Sequence, residues 1–262
     1  MIRDIKFSKY KRFFAFGCSF TGYWWPTWAD VLSKEMPQAS FYNMGVSGAG
    51  NLLISARIVE ANLKFNFTEG DLVIVMWSTF CREDRYYKNA WDSPGNIFTQ
   101  NTYSTDFVKK FADPKGYLIR DLTLMELSTN YLKALPCDDV TLMSVPFNYQ
   151  NETNPSVIPI IDSFSDLVTN TPPSMYDLEL NGVFENGHEY YNESTKKQVQ
   201  DYHPNPVRYR NYLEKLKFPL TDKSLQYANK SFEILKSTKN VAEIKSNFVN
   251  NQGGNYYFNQ WW

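Results

Sequence analysis

The chain has 262 residues, 43% of them hydrophobic, with 27 basic and 28 acidic side chains and a formal net charge of -1. A chain of this length buries roughly three-quarters of the surface it exposes when unfolded, so a sizeable core is available. The charge balance supplies no basic field, which argues against nucleic acid and anionic membrane as partners.

Strand-like segments fall at 12–16, 40–44, 72–76 and 140–145. Helical spacing falls between them, at 25–35, 51–65, 116–135 and 205–216, with Pro206 suited to a first helical turn. Strands alternating with helices imply a mostly parallel sheet, which binds ligands beyond the carboxyl ends of its strands. Ser19, Gly48 and Ser78 each follow one of these strands and are expected along one edge. The stretch 146–200 lacks clear periodicity, is rich in Asn, Ser and Pro, and reads as an insertion or lid. Residues 239–262 end in an aromatic cluster, Tyr256, Tyr257, Phe258, Trp261 and Trp262. That tail either straps onto its own domain, the more ordinary case, or marks a docking surface.

The run Phe16-Gly17-Cys18-Ser19 places a serine directly after an apolar strand. Serine hydroxyl is a weak nucleophile, and needs an imidazole to take its proton and a third group to hold that imidazole in the right tautomer. The chain has two histidines. His188 follows a polar loop, whereas His203 is bracketed by Asp201 and Pro204 and is the better base. If the backbone is extended there, residues two apart point the same way, so Asp201 can lie beside His203. The glycine-rich turn at 43–50 then supplies backbone N–H groups for an oxygen that becomes negative when a carbonyl is attacked.

These motifs, in this order, resemble the SGNH (GDSL-type) hydrolase superfamily. Gly17-Cys18-Ser19-Phe20 is similar to its first block, with cysteine for aspartate, and 43–48 is similar to its second, with Gly48 as the oxyanion glycine. Its third block should follow the strand at 72–76, where this chain reads Trp77-Ser78-Thr79 and has no asparagine; Ser78 or Thr79 is then the substitute donor, or the hole has fewer donors. Losing one such donor typically costs about 100- to 1,000-fold in rate. In the fourth block the acid stands two residues before the histidine instead of three. The resemblance implies a three-layer α/β/α flavodoxin-like fold over 1–238, with the insertion before His203. It also implies a serine esterase that needs no metal or organic cofactor, with a small-molecule or glycan ester, such as an O-acetyl sugar, as substrate. An O-acyltransferase using the same Ser-His site and a non-catalytic binding or assembly protein are the alternatives.

Three cysteines, Cys18, Cys81 and Cys137, have neither disulfide-framework nor metal-ligand spacing, and a reducing compartment fits them. The first residues lack a signal-like apolar segment, and no apolar run reaches membrane-spanning length, so a cytoplasmic location is expected. Cys18 is a rival nucleophile, but a residue directly before Ser19 should point to the opposite side, where cysteine suits burial. Tyr23, Trp24, Trp25 and Trp28 are expected to pack the core, with a ligand-lining role as the alternative. The charged run Arg82-Glu83-Asp84-Arg85 is expected to be a solvated ion-pair cluster, with binding of an anionic substrate group as the alternative.

Overall fold

The structure is a computed structural model that describes residues 5–99, 103–145, 154–180 and 187–248. Its strands are β1 (Arg12–Phe16), β2 (Ser40–Asn43), β3 (Asp71–Trp77), β4 (Arg82–Tyr87), β5 (Ala90–Asn96), β6 (Asp138–Met143), β7 (His188–Asn192) and β8 (Lys197–Asp201). Its α-helices are α1 (Trp28–Ser33), α2 (Asn51–Phe65), α3 (Thr105–Phe111), α4 (Pro114–Lys133), α5 (Ile158–Ser163), α6 (Ser165–Asn170), α7 (Pro206–Lys215), α8 (Asp222–Ser237) and α9 (Val241–Phe248). The central sheet has the order β2-β1-β3-β6 with all neighbours parallel. The pairs β4-β5 and β7-β8 are separate antiparallel hairpins.

Side-chain alternation along β1 divides the helices between the two faces of the sheet. Phe13 stacks on Phe41 at 5.1 Å and meets Trp28 of α1 at 6.4 Å. Its neighbour Phe14 points the other way, stacking on Tyr42 at 4.7 Å and meeting Phe65 of α2 at 5.2 Å. Behind α2 lies α4, joined to it by a Ser128–Ser55 hydroxyl pair at 2.9 Å and by Asn62 donating to the Tyr131 hydroxyl. Behind α1 lie α7 and α8, and Tyr212 of α7 donates to the Met143 carbonyl at the end of β6. The result is three layers, α/β/α, around β3, whose seven residues are all buried as expected of a strand inside a parallel sheet.

Local chemistry fixes the ends of these elements. Arg12 pairs bidentately with Asp71, both bonds 2.6 Å, and also donates to the carbonyls of Phe65 and Asn66, tying the starts of β1 and β3 to the end of α2. Helix α1 begins at Trp28, three residues later than the periodicity at 25–35 suggests. Pro26 disfavours helix at Trp25, and Thr27 with Asp30 forms a capping box. Helix α4 begins two residues early because Asp113 caps it and Pro114 fits its first turn. Strand β6 runs 138–143 instead of 140–145, and its polar start is held by Tyr10 donating to Asp138 at 2.6 Å.

The described part of the stretch 146–200 contains α5, α6, a π-helical turn and the β7-β8 hairpin. Beyond it, α9 joins Trp25, Tyr190 and Leu235 in a second, smaller core. Residues 239–248 strap onto the domain, with Tyr191 N–H donating to the Lys239 carbonyl at 2.7 Å. The aromatic cluster at 256–262 lies outside the described residues. Among the described residues no helix is long and apolar enough to cross a membrane.

Candidate active site

Ser19 stands in the turn that follows β1 and is only 4% exposed. The turn closes by Thr21 N–H and Gly22 N–H donating to the Cys18 carbonyl, bonds that do not engage the Ser19 N–H. Gly17 is required here for close approach, since a Cβ would fall 2.1 Å from the Thr21 hydroxyl and 2.8 Å from the Met76 carbonyl. Cys18 is fully buried.

Asn43 fastens this turn to the next one. Its amide donates to the Thr21 carbonyl at 2.8 Å, and its oxygen accepts the Gly45 N–H at 2.9 Å. Gly45 lies against Gly22 so closely that a Cβ on either would fall within 2.4 Å of the other's backbone. Two residues past Val46, Gly48 adopts φ +85, with the Ser93 carbonyl of β5 where a Cβ would go.

His203 reaches Ser19 from the far end of the chain. Its Nε2 lies 2.8 Å from the Ser19 Oγ, and its Nδ1 lies 2.7 Å from the Asp201 Oδ1. An ionised carboxylate only accepts, so Nδ1 carries the proton and Nε2 is left to accept from the serine hydroxyl. The two-residue spacing works because Asp201 Oδ1 also accepts the backbone N–H of His203 at 2.9 Å, a local Asx turn that folds the ring back over its acid. Trp25 Nε1–H then donates to the Pro204 carbonyl, and Asn205 caps α7 through Arg208 N–H.

The other carboxylate oxygen is satisfied as well, since Asp201 Oδ2 accepts from the hydroxyls of Tyr23 and Tyr190. Burial opposes charge on Asp201, but the bonds from His203 and Tyr23 outweigh it and hold the carboxyl below its ordinary value. The Tyr23 ring stacks on the imidazole at 3.8 Å between centroids, inclined by 21°. Periodicity and motif order single out neither tyrosine in this role; the one signal is that Tyr23 lies four residues after Ser19. His188 faces Asp201 across the β7-β8 ladder, approaches the Thr238 hydroxyl at 3.3 Å, and is pushed towards its neutral form by burial.

Ser19, His203 and Asp201 are thus brought together, whereas Ser78 is engaged elsewhere. Its N–H donates to Asn51 Oδ1 at 2.9 Å, its carbonyl accepts from the Asn51 amide, and its hydroxyl is buried without a partner among the described residues. Thr79, half-buried, continues past the end of β3. Gly48 shares that end of the sheet, but no hydrogen bond joins it to Ser19.

The run 82–85 is only in part the solvated ion-pair cluster expected: exposed Arg85 pairs with Glu83 at 3.0 Å, whereas Asp84 is buried. Asp84 is 3% exposed and accepts from Gly50 N–H at 2.8 Å, Leu53 N–H at 2.9 Å and the Ser93 hydroxyl at 2.7 Å. It caps α2 from a distance, because the N-cap residue, Gly50, has no side chain to do so.

His203 lines a cavity of about 320 Å³ with His188, Tyr202, Asn205 and Arg208. A larger cavity of about 800 Å³ opens at the other end of the sheet, around Tyr10, Leu72 and Asp138, and none of the site residues lines it.

No family model and no curated protein matches the chain. Among solved structures it is similar to a member of the lipolytic protein G-D-S-L family from Veillonella parvula DSM 2008, at 13% identity over 84% of this chain and 98% of that one, with a TM-score of 0.41. It is also similar to a GDSL-like lipase from Bacteroides thetaiotaomicron VPI-5482, at 14% identity over 88% and 93% of the two chains, with a TM-score of 0.40.

Proposed function

We propose that this chain is a serine ester hydrolase in which Ser19 is the nucleophile, His203 the general base and Asp201 the acid that orients it. The observation that carries this reading is the unbroken relay from Ser19 Oγ to His203 Nε2 at 2.8 Å and from His203 Nδ1 to Asp201 Oδ1 at 2.7 Å. Three residues from two ends of the chain meet with the spacing, tautomer and burial that proton transfer requires.

His203 takes the hydroxyl proton as Ser19 Oγ attacks the ester carbonyl, and the resulting imidazolium is stabilised by the Asp201 carboxylate. The N–H groups of Ser19 and Gly48 receive the oxyanion, with Thr79 as the remaining candidate for a third donor. The imidazolium returns its proton to the departing alcohol, leaving the acyl group on Ser19. Water, deprotonated by the same imidazole, then cleaves the acyl-enzyme and regenerates Ser19. No step calls for a metal or organic cofactor. A small O-acyl ester, with an acetylated sugar as first trial, is the substrate class, suggested by the aromatic side chains around His203.

The test uses p-nitrophenyl acetate and a fluorophosphonate probe. Wild type is expected to release acetate without an added acceptor and to be labelled at Ser19, and Ser19→Ala to lose both while unfolding at the wild-type temperature. Folded wild-type protein that neither turns over the ester nor takes the label would overturn the reading. Acetate transfer that depends on an added sugar would move it to the acyltransferase class.

A further inference from the structure

Asp201 is unusual in how completely it is engaged. One oxygen takes two bonds from His203, backbone and ring, and the other takes the hydroxyls of Tyr23 and Tyr190. Tyr23 is the only residue of this group that touches both partners, because its ring lies flat on the imidazole while its hydroxyl reaches the carboxylate. It comes from the same turn region as Ser19, whereas Asp201 and His203 come from the end of the β7-β8 hairpin and the loop after it.

Resting on the hydrolase reading, we infer that Tyr23 is a positioning residue that clamps the His203–Asp201 pair onto the Ser19 turn, its ring lying on the imidazole and its hydroxyl donating to the carboxylate that faces that imidazole. Two effects follow from the geometry. The stacked ring fixes the plane of the imidazole, which a two-residue Asp-to-His spacing holds from one edge only. The hydroxyl withdraws negative charge from the carboxylate, so the carboxylate stabilises an imidazolium less than a bare one would. The tyrosine hydroxyls themselves stay protonated, since burial and the adjacent Asp201 both raise their pKa. Other groups near the pair are Ser19, His188 and Tyr209 of α7, with Tyr202, Arg208 and Lys236 lining the same cavity as His203. Tyr23→Phe leaves all of these in place, and it keeps the ring while deleting only the hydroxyl.

The direct measurement is an NMR titration of the imidazole Cε1–H, in which the His203 resonance is the one that disappears in His203→Gln. Removing a donor makes Asp201 more basic, so the imidazole resonance of Tyr23→Phe is expected to titrate at a higher pH than that of wild type. The acid limb of Ser19 labelling by the fluorophosphonate should move up by the same amount. Tyr190→Phe, which deletes the longer bond of 3.2 Å, should give a smaller rise. A purely structural tyrosine would change the unfolding temperature and leave both pH profiles where they were; superimposable titrations for folded Tyr23→Phe and Tyr190→Phe would overturn the inference. A shifted His203 titration combined with no labelling of wild-type Ser19 supports the Tyr23 assignment and sinks the hydrolase reading instead, so the two failures are told apart.

Discussion

Replacing Asp201 by asparagine probes the site most sharply, because the surrounding bonds dictate how the amide sits. At the Oδ1 position it meets two N–H donors from His203, and an NH2 group there would face both. At the Oδ2 position it meets two tyrosine hydroxyls, which can rotate and accept. The amide oxygen therefore takes the Oδ1 place, the amide nitrogen turns to Tyr23 and Tyr190, and His203 keeps its proton on Nδ1. What is lost is the charge behind the bond and not the tautomer. A hydrogen bond to a charged group contributes about 1.5 to 3 kcal/mol, so kcat/KM for p-nitrophenyl acetate should fall about 10- to 150-fold. That is well short of the roughly 10,000-fold loss that follows when an amide turns the imidazole to the wrong tautomer. Steady-state kinetics at pH 8 on protein checked by thermal unfolding decides it. A loss below threefold would remove Asp201 from the mechanism, and one near 10,000-fold would show that the amide sits the other way round.

Other perturbations test the frame around the site. Gly48→Ala forces a side chain onto the Ser93 carbonyl at φ +85, and should cost more than about 2 kcal/mol in urea unfolding along with most Ser19 labelling. Asp84→Ala strips the Gly50 and Leu53 N–H groups at the start of α2 of their side-chain acceptor, so a loss of about 1 to 2 kcal/mol is expected in urea unfolding, and Ser93→Ala, which deletes one donor to Asp84 and leaves both of these bonds in place, should cost less. Asp121, fully buried, has its pKa raised to about 6 by burial, against the pull of Arg120. Its folded pKa exceeds the unfolded value, so its contribution is full below about pH 4 and is lost as pH rises through about 6. Calorimetry across that range should therefore show wild type losing stability relative to Asp121→Asn. Asp201 has the opposite sign: its depressed pKa gives a contribution that is present above about pH 4 and lost on further acidification, and Asp201→Asn should lack that acid transition.

The sheet was readable because β1 and β3 are continuous apolar runs bounded by turn chemistry, and α2 matches its expected limits of 51–65. Misjudged ends have local causes, as at Thr27 and Asp113, where a capping side chain outweighs the hydrophobic period. The hairpins β4-β5 and β7-β8 escaped because their strands are largely polar, as in the runs at 82–87 and 197–201, and give no alternation to detect. Ser19 and His203 were visible as chemistry in sequence. Asp84 was not: its partners are 31 and 34 residues away, and a charged run on paper does not reveal that its second acid is sealed under a helix start. Tyr23 was hidden for a similar reason, since it meets Asp201 across 178 residues, and Tyr190 because the hairpin that brings it to Asp201 was itself unseen.

The smaller core built from Trp25, Tyr190, Leu235, Ile244 and Phe248 carries the hairpin that ends in Asp201, while Ser19 grows from the main sheet. Nucleophile and orienting acid thus ride on two separately packed blocks, and clusters with few buried apolar contacts open locally before large ones do. Detaching α9 from its cluster would uncouple the relay while the four parallel strands stay intact, leaving a well-ordered protein with a silent serine.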